Sequence, residues 1–304
     1  MNKYKELEER IGSLSEITKN ELERICESKI GTSYYKKLID SMKYTVSAGG
    51  KMIRSYLVYE FCLASEEGDT HSDGCERYAS AIELMHSFSL IHDDLPCMDN
   101  ATLRRGKQAN HLVFGEATSL LAGDALAILA LNACATNRLF SPHQNCEAVE
   151  CLSYYAGRDG MIGGQQLDLD GEAKLLTKEE LDLMNSMKTG SLMAAACELG
   201  CIAGMARTAR RVGAKGYGFL LGRAFQVTDD ILDVESSSEL LGKDTGTDGE
   251  NNKSTYVSLL GLEGAKKFAK ELTDGAKKCL EAFPDCDSKK NLLLLADYLL
   301  ERKK

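Results

Sequence analysis

Two groups of acidic residues, each at the end of an apolar stretch, are the part of this sequence best suited to chemistry. The first group closes residues 84–99 and the second closes residues 225–233. Carboxylates beside apolar surface are costly to remove from water, so several of them around one cavity require a positive partner. Mg²⁺ meets this need because it binds one or two carboxylates together with substrate phosphates, and Mn²⁺ is an alternative ion. The candidate metal ligands are Asp93, Asp94, Asp99, Asp229, Asp230 and Asp233.

The spacing of these residues favours a site over a solvated helix end. Asp229 and Asp233 are four residues apart, so on a helix they share one face, which Gln226 also shares. His86 precedes Asp93 by seven residues, about two helical turns. A single acidic pair would more often be solvated surface, but two such groups in otherwise apolar runs favour a binding site.

Basic residues lie close in sequence to both acidic groups. Any one of them alone would be read as solvated surface, yet guanidinium groups bind phosphates in a bidentate manner and a glycine pair lets the backbone approach a phosphate. His86 is a further candidate donor to an anionic ligand. The basic candidates are Lys51, Arg54, Arg104, Arg105, Lys188, Lys243 and Lys253.

The elements that must position these residues are predicted to be helices. Only three prolines interrupt long runs rich in helix-forming residues, and no sustained two-residue alternation suggests a sheet. The chain has 304 residues, of which 43% are hydrophobic, enough for one large domain or two smaller ones. Since no linker is evident, we predict a single all-α domain over residues 1–304, with residues 1–30 as peripheral helices. Residues 116–136 are apolar nearly all round and predict a buried central helix.

Composition excludes some partners. A net charge of −9 argues against nucleic acid as a general partner. Eleven cysteines without a C-x-x-C pair indicate reduced core residues of a cytoplasmic protein. No stretch reads as a membrane-spanning helix, so we expect no stable membrane insertion.

In these residues and their spacing, the chain resembles the trans-isoprenyl diphosphate synthases, most closely the bacterial farnesyl diphosphate synthases. The resemblance runs from about residue 40 onward. The matching positions are residues 49–54, His86, 93–99, 104–106, 163–165, 188–190, 226–233, 242–243 and 253–256.

The resemblance implies an all-helical fold around a central cavity, usually in a homodimer, with the acidic groups facing each other and binding Mg²⁺. Asp93 and Asp99 would ligate metal on one side, and Asp229 with Asp233 on the other. Catalytic roles would fall on Lys188, Thr189, Asp93 and Asp229. The allylic diphosphate would contact Arg104, Lys188, Gln226, Lys243 and Lys253, and Thr189 would face the developing cation. Isopentenyl diphosphate would be held by Lys51, Arg54, His86 and Arg105.

The expected activity is therefore condensation of isopentenyl diphosphate with dimethylallyl and geranyl diphosphate. Phe88, with its neighbour Ser89, lies between one and two turns before Asp93, where an aromatic ring should limit the growing chain to the fifteen carbons of farnesyl diphosphate. Residues 236–252 are a candidate lid over the site. The alternatives are geranyl or geranylgeranyl diphosphate as product, a terpene cyclase, and a non-catalytic subunit of a heteromeric synthase.

The chain also departs from the family pattern at several positions. Arginine is usual where Met52 stands and proline where Ser55 stands, and the segment after Asp99 is less acidic than is common. The departing positions are Met52, Ser55, Ala101, Thr102 and Thr247, of which the last replaces a common lysine.

Overall fold

The fold is given by a computed structural model, which describes residues 3–27, 34–65, 73–172, 174–241 and 254–302, without the side chains of 237–241. Nearly all of this part of the chain is helical, as predicted. The helices are α1 (Lys5–Cys26), α2 (Lys36–Val46), α3 (Ile53–Ser65), α4 (Cys75–Asp93), α5 (Asn110–Phe114), α6 (Glu116–Ala135), α7 (Pro142–Ala156), α8 (Met161–Gly171), α9 (Lys178–Asn185), α10 (Ser191–Ala203), α11 (Thr208–Leu241), α12 (Tyr256–Cys279) and α13 (Asp287–Glu301). Two short antiparallel strands, β1 (Leu103–Arg104) and β2 (Lys107–Gln108), form a hairpin between α4 and α5.

The chain divides into two compact units. The first comprises residues 1–153 with 199–206, and the second comprises residues 154–198 with 207–304. The prediction of one domain over residues 1–304 stays a prediction.

The core of the first unit lies around α3 and α4. Almost every residue of α3 is buried, and α4 packs against both α3 and α6. Gly200 permits close packing on α3, because a Cβ there would lie 2.4 Å from the carbonyl oxygen of Val58. The N-terminal segment predicted as peripheral helices is a single helix, α1, whose apolar stripe packs on α3 and α4.

The second unit is built on the packing of α11 against α12. Its core includes Val227 and Ile231 of α11 together with Tyr256 and Ala269 of α12. A capping box starts α9: the Thr177 hydroxyl accepts from the Glu180 N–H, and the Glu180 carboxylate accepts from the Thr177 N–H. A π-helical turn, Ser186–Gly190, joins α9 to α10, a local widening that often marks functional positions.

The prediction for α6 was wrong. One side of the helix packs on α4, but only 39% of its apolar window is buried within the chain. Leu121 and Ile128 are 57% and 67% exposed, and they are seven residues apart on one face. By length and composition α6 also meets the criterion for a membrane span, contrary to the expectation that no stretch does, and the core helix of a globular protein meets the same criterion.

The first six residues of the predicted lid are helical. Residues 236–241 continue α11. The remaining lid residues, 242–252, lie outside the described part of the chain, as do Lys243, Thr247 and Lys253.

Candidate active site

The first acidic group is formed where α4 ends. Asp93 is the last residue of the helix, and the following turn folds back so that the N–H of Asp99 donates to the carbonyl of Asp93 at 2.9 Å. A second turn bond, from Asn100 N–H to the Leu95 carbonyl at 3.1 Å, closes the same loop. Asp93 and Asp99 therefore project from adjacent backbone, and the Asp99 side chain is exposed.

Asp94, between them, is buried and already paired. It is 3% exposed, and its Oδ1 accepts hydrogen bonds from both Nε, at 2.9 Å, and Nη2 of Arg104. The β1–β2 hairpin carries Arg104 back to the helix end. The hydrogen bond to Asp94 holds the pKa of the Arg104 guanidinium above its usual value. These two residues were predicted to bind metal and diphosphate respectively, and both roles stay predictions.

A basic pocket lies beside this loop, formed by Arg54, Arg105 and His86. Arg105 donates from Nη1 to the carbonyl of Gly49, and its Nη2 lies 3.4 Å from Nε2 of His86. Gly50 makes room for this arrangement, because a Cβ there would lie 2.8 Å from the guanidinium carbon. Among the described residues, Nε of Arg54 is buried without a hydrogen-bond partner, which suits a pocket built for a further acceptor.

Glu83 is the acidic residue that balances this pocket. It is 5% exposed, and its Oε1 accepts from the backbone N–H of Ser55 at 3.0 Å. Burial raises the pKa of Glu83, and the neighbouring Arg54 opposes that shift. Two guanidinium groups thus face one buried carboxyl group, so the pocket keeps an excess of positive charge suited to an anion.

His86 is neutral in this environment. Burial lowers its pKa well below the usual value, and Arg54, Arg105 and Arg104 lower it further. Because a guanidinium group only donates, Nε2 accepts from Arg105 and the ring proton lies on Nδ1. His86 therefore offers one neutral N–H. Lys51 lies at the exposed start of the same segment.

The aromatic ring of Phe88 packs against His92. The ring lies 4.8 Å from that of His92 in an edge-on arrangement, and His92 Nε2 donates to the carbonyl of Leu120 on α6 at 3.0 Å. Gly123 allows this approach, since a Cβ there would overlap the imidazole. Ser89 bonds back to the carbonyl of His86 at 3.0 Å.

In the second unit, Lys188 and Thr189 belong to the π-helical turn. Lys188 Nζ lies 2.5 Å from the carboxylate of Asp168 on α8, and the hydroxyl of Thr189 donates to Oε1 of Gln226 on α11 at 3.1 Å. Gly164 permits close packing of α8 on the turn, because a Cβ there would lie 2.2 Å from the backbone nitrogen of Lys188. Three predicted site residues, Lys188, Thr189 and Gln226, therefore lie close together within this unit, and their roles stay predictions.

The second acidic group lies on α11. Asp229 accepts a hydrogen bond from Arg302, and Asp230 accepts from the backbone N–H of Tyr256 at 2.7 Å. Asp233, one turn after Asp229, is exposed. Burial raises the pKa of Asp229, while Arg302 acts in the opposite direction.

The carboxylates suit a magnesium ion whose remaining coordination positions are filled by a bound ligand. Among the described residues, no three His, Cys, Asp or Glu side chains are gathered closely enough to hold an ion by themselves. Each acidic group instead provides two neighbouring carboxylates, and Mg²⁺ characteristically takes one or two carboxylates and fills its other positions with water and phosphate.

Comparison with known proteins decides the family. The model of the polyprenyl synthetase family matches residues 35–289. The chain belongs to the polyprenyl synthetase family. It is therefore a trans-prenyltransferase, as the resemblance implied.

Relatives of this polyprenyl synthetase include enzymes of different product length. The farnesyl diphosphate synthase of Haemophilus influenzae is 40% identical over 273 residues, which are 89% of this chain and 90% of that protein. Geranylgeranyl pyrophosphate synthase 7 of Arabidopsis thaliana is 39% identical over 88% of this chain and 77% of its own. A geranyltransferase from Helicobacter pylori, solved with magnesium and isoprenyl diphosphate, superposes with a TM-score of 0.79 at 31% identity over 95% of each chain.

Several residues of this polyprenyl synthetase that contact predicted site residues were not found from sequence. They are Glu83, Asp168 and Arg302. Glu83 carried a signal, since a lone acid inside an apolar helix three residues before His86 requires a partner. Asp168 and Arg302 carried none, because their partners are 20 and 73 residues away in the chain.

Proposed function

We propose that this chain condenses isopentenyl diphosphate with an allylic diphosphate, dimethylallyl or geranyl, to give mainly farnesyl diphosphate. The observation that carries the proposal is the basic pocket of Arg54, Arg105 and His86. A terpene cyclase ionises an allylic diphosphate but takes no isopentenyl diphosphate, so it has no need of a second anion pocket.

In this proposal, Arg54, Arg105 and the Nδ1–H of His86 bind the diphosphate of isopentenyl diphosphate, together with Lys51. The two guanidinium groups supply charge, and the neutral imidazole supplies a directed hydrogen bond. Glu83 fixes the position of Ser55 and thereby the first turn of α3, from which Arg54 projects.

Asp93 with Asp99, and Asp229 with Asp233, are proposed to hold magnesium that binds the allylic diphosphate. Magnesium would supply charge neutralisation for the departing diphosphate. The allylic C–O bond breaks, and the π electrons of isopentenyl diphosphate form the new C–C bond. A proton is then lost, and the released diphosphate is the proposed acceptor, so no side-chain base is required.

Lys188 and Thr189 have proposed roles at the reacting carbon atoms. Asp168 and Gln226 hold the two side chains in place, so the ammonium group can reach the allylic diphosphate and the Thr189 carbonyl can face the developing cation. Such preorganised charges lower a barrier without reorganising during the reaction.

Phe88 supports a fifteen-carbon product. Its ring is held by His92, which α6 holds in turn, so a growing chain that reaches the ring meets a fixed obstacle. Because geranylgeranyl synthases are also relatives, a twenty-carbon product is the second candidate.

The homodimer and the single domain are further proposals. Intact acidic groups in this chain favour a catalytic protein over a non-catalytic subunit, and the exposed apolar face of α6 favours a second copy as partner.

The deciding experiment incubates the purified chain with Mg²⁺, labelled isopentenyl diphosphate and dimethylallyl diphosphate, and identifies the prenyl alcohols after phosphatase treatment. Farnesol as the main product is expected. Geranylgeraniol would favour the second candidate, and failure to consume isopentenyl diphosphate would refute prenyl condensation by this chain alone.

A further inference from the structure

Arg302, the residue after α13, binds the second acidic group. Its guanidinium lies over the ring of Phe225 at 3.8 Å, and Nη2 donates to the carbonyl of Phe225 at 3.1 Å. The same Nη2 donates to Oδ1 of Asp229. The Arg302 side chain is only 10% exposed, so the contact with Asp229 belongs to a packed arrangement.

This contact is not needed to attach α13 to the rest of the unit. The hydroxyl of Tyr217 on α11 already donates to the carbonyl of Leu292 on α13 at 2.7 Å, and Lys277 pairs with Asp297. In addition, Nε of Arg302 is buried without a hydrogen-bond partner among the described residues. An arginine used only as an anchor would be expected to use that donor, because an unsatisfied buried N–H is unfavourable.

Asp229 is the carboxylate for which the charge of Arg302 matters most. It lies one turn before the exposed Asp233, which is the partner needed for metal ligation, and one of its two oxygens already accepts from the guanidinium. A divalent ion bound by Asp229 would share that carboxylate with the Arg302 guanidinium. The two positive charges would then repel each other strongly, because the site is partly buried. A diphosphate bound with the ion supplies negative charge that offsets this repulsion.

We propose that Arg302 is a resident counter-ion of Asp229. The guanidinium charge lowers the affinity of the second acidic group for a bare divalent ion. The group is therefore selective for an ion that arrives with a diphosphate. The proposal rests on the proposed metal role of Asp229 and adds a residue that controls when that role is taken. Arg302 is therefore a positioning residue, because it acts through Asp229.

The test measures binding of Mn²⁺ alone, followed through the electron paramagnetic resonance of the free ion. Wild type is compared with Arg302→Gln, which removes the charge, and with Arg302→Lys, which keeps the charge but not the planar stacking. We expect one class of Mn²⁺ sites to bind about tenfold more tightly in Arg302→Gln, and Arg302→Lys to stay nearer to wild type. Asp229→Asn should remove that class of sites, and adding Arg302→Gln to it should have no further effect.

Arg211→Gln is the matched control, because Arg211 forms a comparable ion pair with Glu198 in the same unit at 3.2 Å. It should leave Mn²⁺ binding unchanged. Thermal unfolding of each variant shows whether the fold is kept, and if Arg302→Gln does not fold, Arg302→Met, which also lacks the charge and keeps an apolar stem over Phe225, gives the comparison.

The second arm repeats the titration with inorganic pyrophosphate. The difference in Mn²⁺ affinity between wild type and Arg302→Gln should shrink, because the anion offsets the repulsion between Arg302 and the ion in the wild type. Unchanged Mn²⁺ affinity in a folded Arg302→Gln would overturn the proposal, and weaker binding would show instead that Arg302 orients Asp229 for the metal. Consumption of isopentenyl diphosphate by wild type is measured separately, so failure of the Arg302 proposal is distinguishable from failure of the proposed function.

Discussion

At the level of single residues, Phe88 is the position where structure and product are most directly connected. Replacing Phe88 with Ala removes a ring held against His92 and leaves space beneath the growing chain. We therefore expect products longer than fifteen carbons from Phe88→Ala, measured by chromatography of the prenyl alcohols. Phe88→Tyr is the matched control and should keep the wild-type product. An unchanged distribution in Phe88→Ala would remove the ring as the length determinant.

His86 predicts a pH dependence of stability. Its folded pKa is lowered well below 6.5, whereas the unfolded chain has a value near 6.5, so the unfolded state takes up the proton first as the pH falls. The stabilising contribution is thus complete above pH 6.5 and is lost below it. Between pH 7 and pH 5.5 the unfolding free energy of wild type should fall by about 1 kcal/mol more than that of His86→Gln.

Urea unfolding at the two pH values measures this difference. Burial of His86 and the charges of Arg54, Arg105 and Arg104 set this difference. Identical pH profiles for wild type and His86→Gln would mean that folding does not lower the pKa of His86.

At the level of elements, the π-helical turn depends on a glycine of α8. A Cβ on Gly164 would lie 2.2 Å from the backbone nitrogen of Lys188, so Gly164→Ala should displace the turn and cost about 1–3 kcal/mol as an overpacked contact. We expect turnover to fall at least tenfold, since Lys188 and Thr189 move with the turn.

Gly12→Ala serves as the control for this substitution. Gly12 lies in α1, and a Cβ there meets nothing within 4 Å. Because glycine costs up to about 1 kcal/mol relative to alanine inside a helix, Gly12→Ala should keep activity and slightly raise the melting temperature. Equal behaviour of the two variants would contradict a special role for position 164.

The exposed face of α6 predicts a subunit contact. Leu121→Glu with Ile128→Glu places two charges on an apolar stripe, and burying such charges in an interface is strongly unfavourable. We expect the double variant to sediment as a monomer and wild type as a dimer. Leu175→Glu, at a position 77% exposed in the second unit, should leave the assembly unchanged. A wild-type monomer in analytical ultracentrifugation would refute this interpretation.

At the level of the whole molecule, the acidic groups are compatible with a stable fold without metal, since Asp94, Asp229 and Asp230 have protein partners. Chelation with EDTA should therefore abolish turnover while changing the melting temperature by no more than about 2 °C. Added Mg²⁺ should restore turnover, and Mg²⁺ together with inorganic pyrophosphate should raise the melting temperature, because a ligand bound only by the folded state stabilises it. A large loss of stability on chelation would indicate a structural ion.

The helical fold and the family could be predicted because they depend on local information. Proline scarcity and apolar periodicity are local signals, and so are short motifs such as residues 93–99, at the end of α4, and residues 226–233, within α11. The exposure of α6 could not be predicted, because an all-apolar helix has the same composition whether it packs within the chain or against another copy. The pairing of Asp229 with Arg302 was equally inaccessible, since it joins distant positions through tertiary packing.

The bond from the Ser55 N–H to Glu83 limits how this protein can be engineered toward its relatives. The resemblance implies proline at position 55, a residue that the first turn of a helix tolerates, so design toward the family pattern would introduce it there. Proline has no N–H, so here the exchange would strip a buried carboxyl group of its donor and shift the charge balance around Arg54. Positions 55 and 83 should therefore be altered together. A variant changed at only one of them leaves a buried polar group without its partner, and we expect it to be less stable.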